Sequence, residues 1–142
     1  MKTVQQVLET KGSTIYSVAP ESLVYDALLV MAEHHIGALV VMKRDEIVGI
    51  FSERDYAREV VIKGKTSKTT TVQDIMSVQL TTVSPEDTVD YCMNLMSGKR
   101  IRHLPVLENG KLVGLLSIGD LVKETIAYQE FLIKQLESYI QS

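Results

Sequence analysis

The sequence has little of what marks several classes of protein. A single cysteine, Cys92, excludes an internal disulfide and a cysteine-based zinc site, and it suits a reducing compartment. No apolar run approaches the roughly 18 residues of a membrane-spanning helix, and the first residues lack the apolar core of a signal peptide. The net charge of −3 supplies no basic field for nucleic acid. We therefore expect a cytoplasmic protein that has neither a membrane nor nucleic acid as its partner.

What the sequence does have is apolar material arranged as a repeat. Its 142 residues, 45% of them hydrophobic, suffice for one ordinary domain or two small ones. When Pro20 is placed on Pro85, residues 15–61 align with residues 80–126 without a gap. Identical pairs include Val18 and Val83, Met31 and Met96, Gly49 and Gly114, Ser52 and Ser117, and Asp55 and Asp120. The chain is two copies of one unit, each too small to bury its apolar face alone.

Each copy predicts the same order of elements, namely strand, helix, strand, strand, helix. Short extended segments at 15–18 and 80–83 precede amphipathic helices over 23–32 and 89–96. Residues 38–42 and 104–107 then form strands that lead through turns into second strands at 47–51 and 112–116. Asn109-Gly110 is a strong hairpin signal between the last two. Final helices are predicted from Glu53 to about Lys63, and from Ile118 towards the C-terminus.

The repeats also set the predicted domain boundaries. We expect the first repeat with its leading segment at residues 1–64, a polar, basic and mobile linker at 65–71, and the second repeat at 72–142. A further echo relates residues 3–8 to residues 71–76, so the first copy carries three extra residues near 10–13. The last helix has a wide apolar face from Ile126 to Ile140. That face packs either on its own domain or in a dimer.

Both copies carry Ser-x-x-Asp where a strand feeds a helix, as Ser52 to Asp55 and as Ser117 to Asp120. Such a junction gathers a hydroxyl, a carboxylate and free backbone N–H groups at one edge of a sheet, where a ligand could reach them. The same spacing is close to a capping box, so a purely structural role is the alternative. Duplication favours a ligand site.

Together with the strand Arg102-His103-Leu104-Pro105-Val106 and the leading segment Val72–Met76, the duplicated motif resembles a tandem cystathionine-β-synthase (CBS) domain pair, or Bateman module. The resemblance covers essentially the whole chain. It implies an α+β fold of two tandem β-α-β-β-α repeats, packed sheet to sheet around a pseudo-twofold axis with two clefts between them. It also implies a homodimer.

The resemblance further implies a non-catalytic, energy-sensing regulator. Such modules bind adenosine-containing ligands such as AMP, ADP, ATP, NAD(H) or S-adenosylmethionine, and this one would signal to an unidentified protein in trans. The first alternative is a ligand-independent dimeric scaffold. The second is an enzyme, for which no Ser-His-Asp or Cys-His set, paired acid–base carboxylates or P-loop is evident, so we expect no catalytic residue and no catalytic cofactor.

The resemblance also assigns site residues, the first strand of one repeat completing the cleft of the other. The ribose would be held by Ser52, Asp55, Ser117 and Asp120. The adenine side would be formed by Tyr16, Ser17, Val18, Thr81, Thr82 and Val83. Phosphate could be reached by the cationic side chains Arg54, Lys65, Arg102 and His103.

The two clefts are chemically unequal, because Gly37-Ala38 stands where the second copy has Arg102-His103, and Gly119 stands where the first has Arg54. The histidines lack a carboxylate or cysteine cluster at metal-ligand spacing, so no metal site is expected. Cys92 lies on the apolar face of its helix, which predicts buried packing rather than redox chemistry.

Overall fold

A computed structural model describes residues 2–141. The elements in chain order are α1 (Val4–Lys11), β1 (Ser17–Val18), α2 (Val24–His34), β2 (Ala38–Lys43), β3 (Glu46–Ser52), α3 (Glu53–Tyr56), a π-helical turn (Ala57–Val61), a 3₁₀ turn (Val72–Asp74), α4 (Val89–Lys99), β4 (His103–Glu108), β5 (Lys111–Ser117) and α5 (Ile118–Gln141). The predicted mixture of helices and strands is confirmed.

The chain forms two compact units. The first-repeat unit holds Thr14–Thr81 together with Asn109–Val113. The second-repeat unit holds the described residues through Ser13, Thr82–Glu108, and those from Gly114 onwards. Each unit therefore contains the leading segment of the other repeat: α1 lies with the second repeat, and the 3₁₀ turn lies with the first.

The first-repeat unit is built on a three-stranded sheet in the order β1-β2-β3. β1 runs parallel to β2, with Ser17 opposite Val40, and β3 runs antiparallel to β2, with Phe51 opposite Leu39. The apolar stripe of α2 packs on this sheet, because Val24, Ala27 and Met31 recur at helical spacing. The buried core consists of Val24, Ala27, Met31, Leu39, Val41, Phe51, Val60, Val72 and Ile75.

The segment that connects the repeats is folded against the start of α2. Residues 65–71 were expected as a mobile linker, but the Val24 N–H donates to the Thr70 carbonyl at 2.9 Å and Thr70 is buried. The Thr70 hydroxyl donates in turn to the Thr66 carbonyl at 2.8 Å. The first turn of α2 thus obtains backbone acceptors that its apolar N-cap residue, Leu23, does not supply from a side chain.

The second-repeat unit contains β4, the part of β5 from Gly114 onwards, α4 and α5, with α1 packed beside them, whereas the hairpin turn and the first residues of β5 are grouped with the first-repeat unit. The Asn109-Gly110 hairpin is confirmed, because both residues adopt the positive φ angles, 53° and 79°, that a tight hairpin turn requires. Buried residues of this unit include Val4, Val7, Leu8, Val89, Cys92, Met96, Leu104, Val106, Leu116 and Leu121.

The first strand of the second repeat is reduced to a single parallel bridge between Val83 and Val106. The Val83 N–H donates to the Pro105 carbonyl at 3.0 Å, and the Leu107 N–H donates to the Val83 carbonyl at 2.9 Å. Pro105 occupies the position that Val40 has in the first repeat, and proline has no N–H to donate to the preceding part of the segment. The ladder therefore stops at Val83.

Candidate ligand-binding site

The first Ser-x-x-Asp junction is a complete capping box at the start of α3. The Asp55 N–H donates to the Ser52 hydroxyl at 3.2 Å, and the Ser52 N–H donates to Asp55 Oδ2 at 2.9 Å. The Ser52 hydroxyl also donates to Asp55 Oδ2 at 3.0 Å. The cap that the sequence offered as the structural alternative is thus formed, and it holds the carboxylate in one orientation at the edge of the sheet.

The other oxygen of this carboxylate is reached by a residue that the sequence did not suggest. The Ser77 hydroxyl donates to Asp55 Oδ1 at 3.2 Å. Ser77 is held there by paired backbone bonds with Ile50, at 2.9 and 3.0 Å. Gly49 permits this approach, because a Cβ at that position would lie 2.6 Å from Met76 Sδ and 3.0 Å from the Ser77 carbonyl oxygen.

The helix that carries Asp55 changes its hydrogen bonding one turn after the cap. The Ile62 N–H donates to the Ala57 carbonyl at 3.1 Å, five residues back, which makes Ala57–Val61 a π-helical turn. Such turns are rare and occur frequently at functional sites. A surface depression of about 380 Å³ lies beside the same junction, and Gly37 and Glu53 are among its lining residues.

The second junction has the same cap but a different neighbour. The Ser117 N–H donates to Asp120 Oδ2 at 2.8 Å, and the Asp120 N–H donates to the Ser117 hydroxyl at 3.2 Å. Lys11 Nζ lies 2.6 Å from the same Oδ2 and 2.6 Å from the Leu115 carbonyl oxygen. A cation therefore contacts the Asp120 carboxylate.

The pKa of Asp120 reflects the nearby Lys11 ammonium group. Burial by itself raises the pKa of the Asp120 carboxyl, but the hydrogen bonds from Lys11 and Ser117, together with the charge of Lys11, outweigh it. The pKa of Asp120 consequently lies below its ordinary range. The carboxylate is therefore ionised at neutral pH, and in that form both of its oxygens are hydrogen-bond acceptors.

The predicted site residues divide between the two units. The first-repeat unit contains Tyr16, Ser17, Val18, Ser52, Arg54, Asp55, Lys65 and Thr81. The second-repeat unit contains Thr82, Val83, Arg102, His103, Ser117 and Asp120. Within each unit the structure brings the predicted Ser and Asp into direct contact. The roles of the adenine-side and phosphate-side residues stay predictions.

Backbone bonds also connect Arg102 to its junction. The Ile118 N–H at the start of α5 donates to the Arg102 carbonyl at 2.9 Å, as the Glu53 N–H donates to the Gly37 carbonyl at 3.0 Å in the first copy. Arg102 therefore lies at the position that glycine occupies beside the first site, and its side chain is exposed. Arg54 and Lys65 are exposed as well.

Tyr16 has a partner that sequence reasoning missed. Its ring stacks on the His34 ring, with the centroids 3.8 Å apart and the planes 16° from parallel. His34 ends α2, whereas Tyr16 precedes β1, so the pair is separated by a helix in the chain. No local pattern could have linked them; only the amphipathic packing of α2 beside β1 brings the rings together.

Three further possibilities are redox chemistry at Cys92, a metal site and a membrane-spanning helix. Cys92 is fully buried, which confirms the predicted packing role, and burial together with the Asp87 charge raises the pKa of its thiol to about 11. Among residues 2–141, no three His, Cys, Asp or Glu side chains are grouped as a metal site would need. None of the helices in that range is both long and apolar enough to cross a membrane.

A third Ser-x-x-Asp lies outside the two junctions and provides an internal reference. The Ser84 N–H donates to Asp87 Oδ2 at 2.8 Å, and the Ser84 hydroxyl donates to the same oxygen at 3.3 Å. This pair follows the single bridge at Val83 and lies one turn before α4, whose N-cap is Thr88. It shows the local contact between Ser and Asp at a place where the Asp is not on the first turn of a helix.

Comparison with known proteins agrees with this architecture. The CBS domain family matches residues 11–62 and 72–126, so the chain belongs to the CBS-domain family. The mitochondrial CBS domain-containing protein CBSX3 of Arabidopsis thaliana is 38% identical over 148 residues, which cover 98% of this chain and 72% of the relative.

Solved structures show the same fold. A protein with CBS domains from Burkholderia ambifaria MC40-6 is 52% identical, with a TM-score of 0.86 and coverage of 89% of this chain and 95% of that one. The CBS domain pair of protein MJ0100, in complex with 5-methylthioadenosine and S-adenosyl-L-methionine, is 20% identical. Its TM-score is 0.79, and the match covers 90% of this chain and 98% of that one. The α+β fold of tandem CBS repeats is thereby confirmed.

Proposed function

We propose that this chain is a non-catalytic regulatory module that binds an adenosine-containing ligand at its Ser-x-x-Asp junctions and signals to a partner protein in trans. The observation that carries the proposal is the repetition of one pre-oriented carboxylate, Asp55 and Asp120, at equivalent strand-to-helix junctions of a CBS pair. A cap that served stability alone would not need a carboxylate that a ligand can reach. The side chains of Asp55 and Asp120 nevertheless both remain partly accessible.

The chemistry of the junction suits a ribose. An ionised carboxylate accepts hydrogen bonds from two vicinal hydroxyls, and such charge-assisted bonds are stronger than neutral ones. At the first site Ser77 already donates a hydroxyl hydrogen bond to Asp55 Oδ1, which is the kind of contact that a ribose hydroxyl makes. A ligand would add to this donor or replace it without any change in charge.

The ligand class rests on the family and on the residues near the junctions. The MJ0100 CBS pair is bound to two adenosine derivatives, and its fold is shared by this chain. The candidates are AMP, ADP, ATP, NAD(H) and S-adenosylmethionine. Arg54, Lys65, Arg102 and His103 are the proposed phosphate contacts, and 16–18 with 81–83 are the proposed adenine side.

The test is a thermal-shift and calorimetric panel of the purified chain with these ligands. Bound ligand stabilises the native state by about 2.7 kcal/mol at a hundredfold excess over Kd, which a melting curve resolves. Asp55→Asn and Asp120→Asn keep an acceptor for the cap N–H but remove the charge, and Asp87→Asn is the matched control. We expect at least one junction variant to lose a shift that Asp87→Asn retains.

Two outcomes would contradict the proposal. The first is the absence of heat and of any shift in melting temperature with every ligand of the panel. The second is a shift that survives in the Asp55→Asn/Asp120→Asn double variant as fully as in the Asp87→Asn control. Either result would leave the junctions as helix caps and favour the scaffold function.

We also propose that the chain is a homodimer through the exposed half of α5. Ile126, Ile133 and Ile140 recur every seven residues with Leu136 between them, and they are 52%, 54%, 80% and 62% exposed, respectively. β-Branched residues at a with leucine at d are the pattern of a parallel two-stranded contact. The occupant that this repeat fits is the same helix of a second copy.

The dimer is tested by sedimentation equilibrium of two variants that add the same charge. Ile133→Glu places a carboxylate in the stripe, and Gln135→Glu places it outside the stripe on the same helix. We expect the first variant to be monomeric and the second to keep the mass of the parent protein. A parent protein that is monomeric at micromolar concentration would overturn this part of the proposal.

A further inference from the structure

Lys11 contacts the second junction, whereas within residues 2–141 no lysine or arginine side chain forms an ion pair with Asp55 at the first. Its Nζ donates both to Asp120 Oδ2 and to the Leu115 carbonyl, each at 2.6 Å. The side chains of Lys11 and Asp120 keep 33% and 24% of their exposure, respectively. The ion pair is therefore partly accessible to solvent, and a ligand that reaches this carboxylate would also meet the ammonium group.

The capping and packing of α1 place Lys11 beside Asp120. Thr3 and Gln6 form a capping box that starts α1, and Leu8 packs so closely on β5 that a Cβ on Gly114 would lie 2.7 Å from Leu8 Cδ2. Lys11 follows Leu8 by three residues, so its side chain leaves the same face of the helix one turn later. That face is directed at the start of α5.

We propose that Lys11 determines the ligand charge accepted at the Asp120 site, so that this site takes phosphate-bearing adenosine compounds and discriminates against uncharged or cationic ones. The inference rests on the proposed function. A ribose whose two hydroxyls bind both oxygens of the Asp120 carboxylate competes with the ammonium group at Oδ2. An uncharged ligand that displaces the ammonium group leaves this cation with the Leu115 carbonyl but without its carboxylate partner.

A phosphate removes that penalty. The lysine has a compact charge on a flexible four-carbon stem, so it moves from the carboxylate to a phosphate oxygen while the ribose hydroxyls take its place. Asp55 differs, because its donor is the neutral hydroxyl of Ser77. Displacing a hydroxyl leaves no unpaired charge, so we expect the Asp55 site to distinguish less strongly between adenosine and AMP.

The inference is tested by calorimetry of the full chain with adenosine and with AMP, in an Asp55→Asn background that leaves the Asp120 site. We expect AMP to bind at least about tenfold more tightly than adenosine, a difference that one charged contact supplies. Lys11→Met should weaken AMP binding and strengthen adenosine binding, and Lys11→Arg should retain the preference. Lys2→Met is the matched control, because Lys2 pairs with Glu124 at 3.1 Å in the same unit.

The outcomes separate the two proposals. An AMP-to-adenosine ratio that is unchanged by Lys11→Met, or changed equally by Lys2→Met, overturns the role of Lys11 while ligand binding stands. Loss of all binding in Asp55→Asn also overturns it. If the unsubstituted chain binds neither compound, nor any other ligand of the panel, the proposed function fails and this inference fails with it.

A ligand-free measurement accompanies the binding experiment. Titration of the Asp120 carboxyl by carbon NMR should give a lower pKa in the parent than in Lys11→Met, because the ammonium group favours the ionised form. Equal pKa values in the two proteins would show that the ion pair does not form in solution, which would overturn the inference independently of any ligand.

Discussion

The two Ser-x-x-Asp junctions share their cap and differ in what touches the carboxylate. In both copies the serine N–H donates to Oδ2 of the aspartate, at 2.9 and 2.8 Å. The hydrogen-bond donor that comes from outside the junction is the Ser77 hydroxyl in the first copy and the Lys11 ammonium group in the second. The duplicated core thus preserves local geometry, whereas the leading segments supply a different donor to each carboxylate.

Both leading segments approach their sites by packing a side chain against a glycine of the neighbouring strand. Met76 packs on Gly49 and Leu8 packs on Gly114, and both glycines lie in the last strand of their repeat, β3 and β5, respectively. The segment before the second repeat is only a 3₁₀ turn, so Ser77 meets its strand as extended backbone. The segment before the first repeat is an eight-residue helix, which carries Lys11 a further turn along.

The largest effects are expected from the core beneath the junctions. Phe51 and Leu116 occupy equivalent strand positions and are both fully buried. We expect Phe51→Ala to cost about 3–5 kcal/mol and Leu116→Ala about 2–5 kcal/mol in the free energy of unfolding, because each leaves a cavity. Urea denaturation measures both.

A milder variant of Phe51 sharpens this comparison. Phe51→Leu gives the first copy the residue of the second and should cost less than Phe51→Ala, since it leaves a smaller cavity. A cost below about 1 kcal/mol for either alanine variant would contradict the equivalence of the two positions in their cores.

Much of the fold could be predicted from sequence because it depends on local signals. Helical spacing located α2 and α4, and Asn109-Gly110 located the hairpin between β4 and β5. The capping spacing correctly predicted the contacts of Ser52 with Asp55 and of Ser117 with Asp120. Each of these features involves residues a few positions apart, where propensity and periodicity are informative.

The features that sequence missed depend on distant contacts or on small changes of geometry. Lys11 is 109 residues from Asp120, and Ser77 is 22 residues from Asp55. The echo between residues 3–8 and 71–76 pointed to the right segments, but not to the side chains that follow them. The π-helical turn after α3 shifts each bond by one residue, which leaves no mark in composition or period.

The glycines that admit the leading segments give a second comparison. Ala at position 49 would meet the Ser77 carbonyl at 3.0 Å as well as Met76, and backbone cannot rotate away. We expect Gly49→Ala to cost about 1–3 kcal/mol and to lower the hydrogen-exchange protection of the Ser77 amide. Gly114→Ala meets only the ends of the Leu8 side chain, so its cost should be smaller.

Gly98→Ala is the control for these substitutions. Nothing lies within 4 Å of a Cβ at that position in α4, and alanine is the better helix former, so stability should rise by about 0.5–1 kcal/mol. If Gly114→Ala proves as costly as Gly49→Ala, the distinction between a backbone obstacle and a side-chain obstacle is contradicted.

The smallest effect concerns the pH dependence that the second junction acquires from Lys11. The pKa of Asp120 is lowered from its ordinary value of 3.8, because the Lys11 and Ser117 contacts outweigh burial. A lowered pKa in the folded state contributes stability that is fully present above the ordinary value and is lost as the pH falls through the folded one. Asp120→Asn and Lys11→Met should therefore melt below the parent protein at pH 6.

The difference between parent and variants should then shrink as the pH falls below about 4, where the unfolded chain begins to bind the proton, and it should be lost once the folded carboxyl is protonated as well. For a partly exposed ion pair we expect it to reach about 1 kcal/mol or less at pH 6, and to fall further in high salt. Lys2→Met serves as the control for removing a lysine from the same unit. A difference that stays constant from pH 6 into the acid range would show that Lys11 stabilises the protein by packing its methylene stem rather than by pairing with Asp120, and the electrostatic distinction between the two junctions would then not hold in solution.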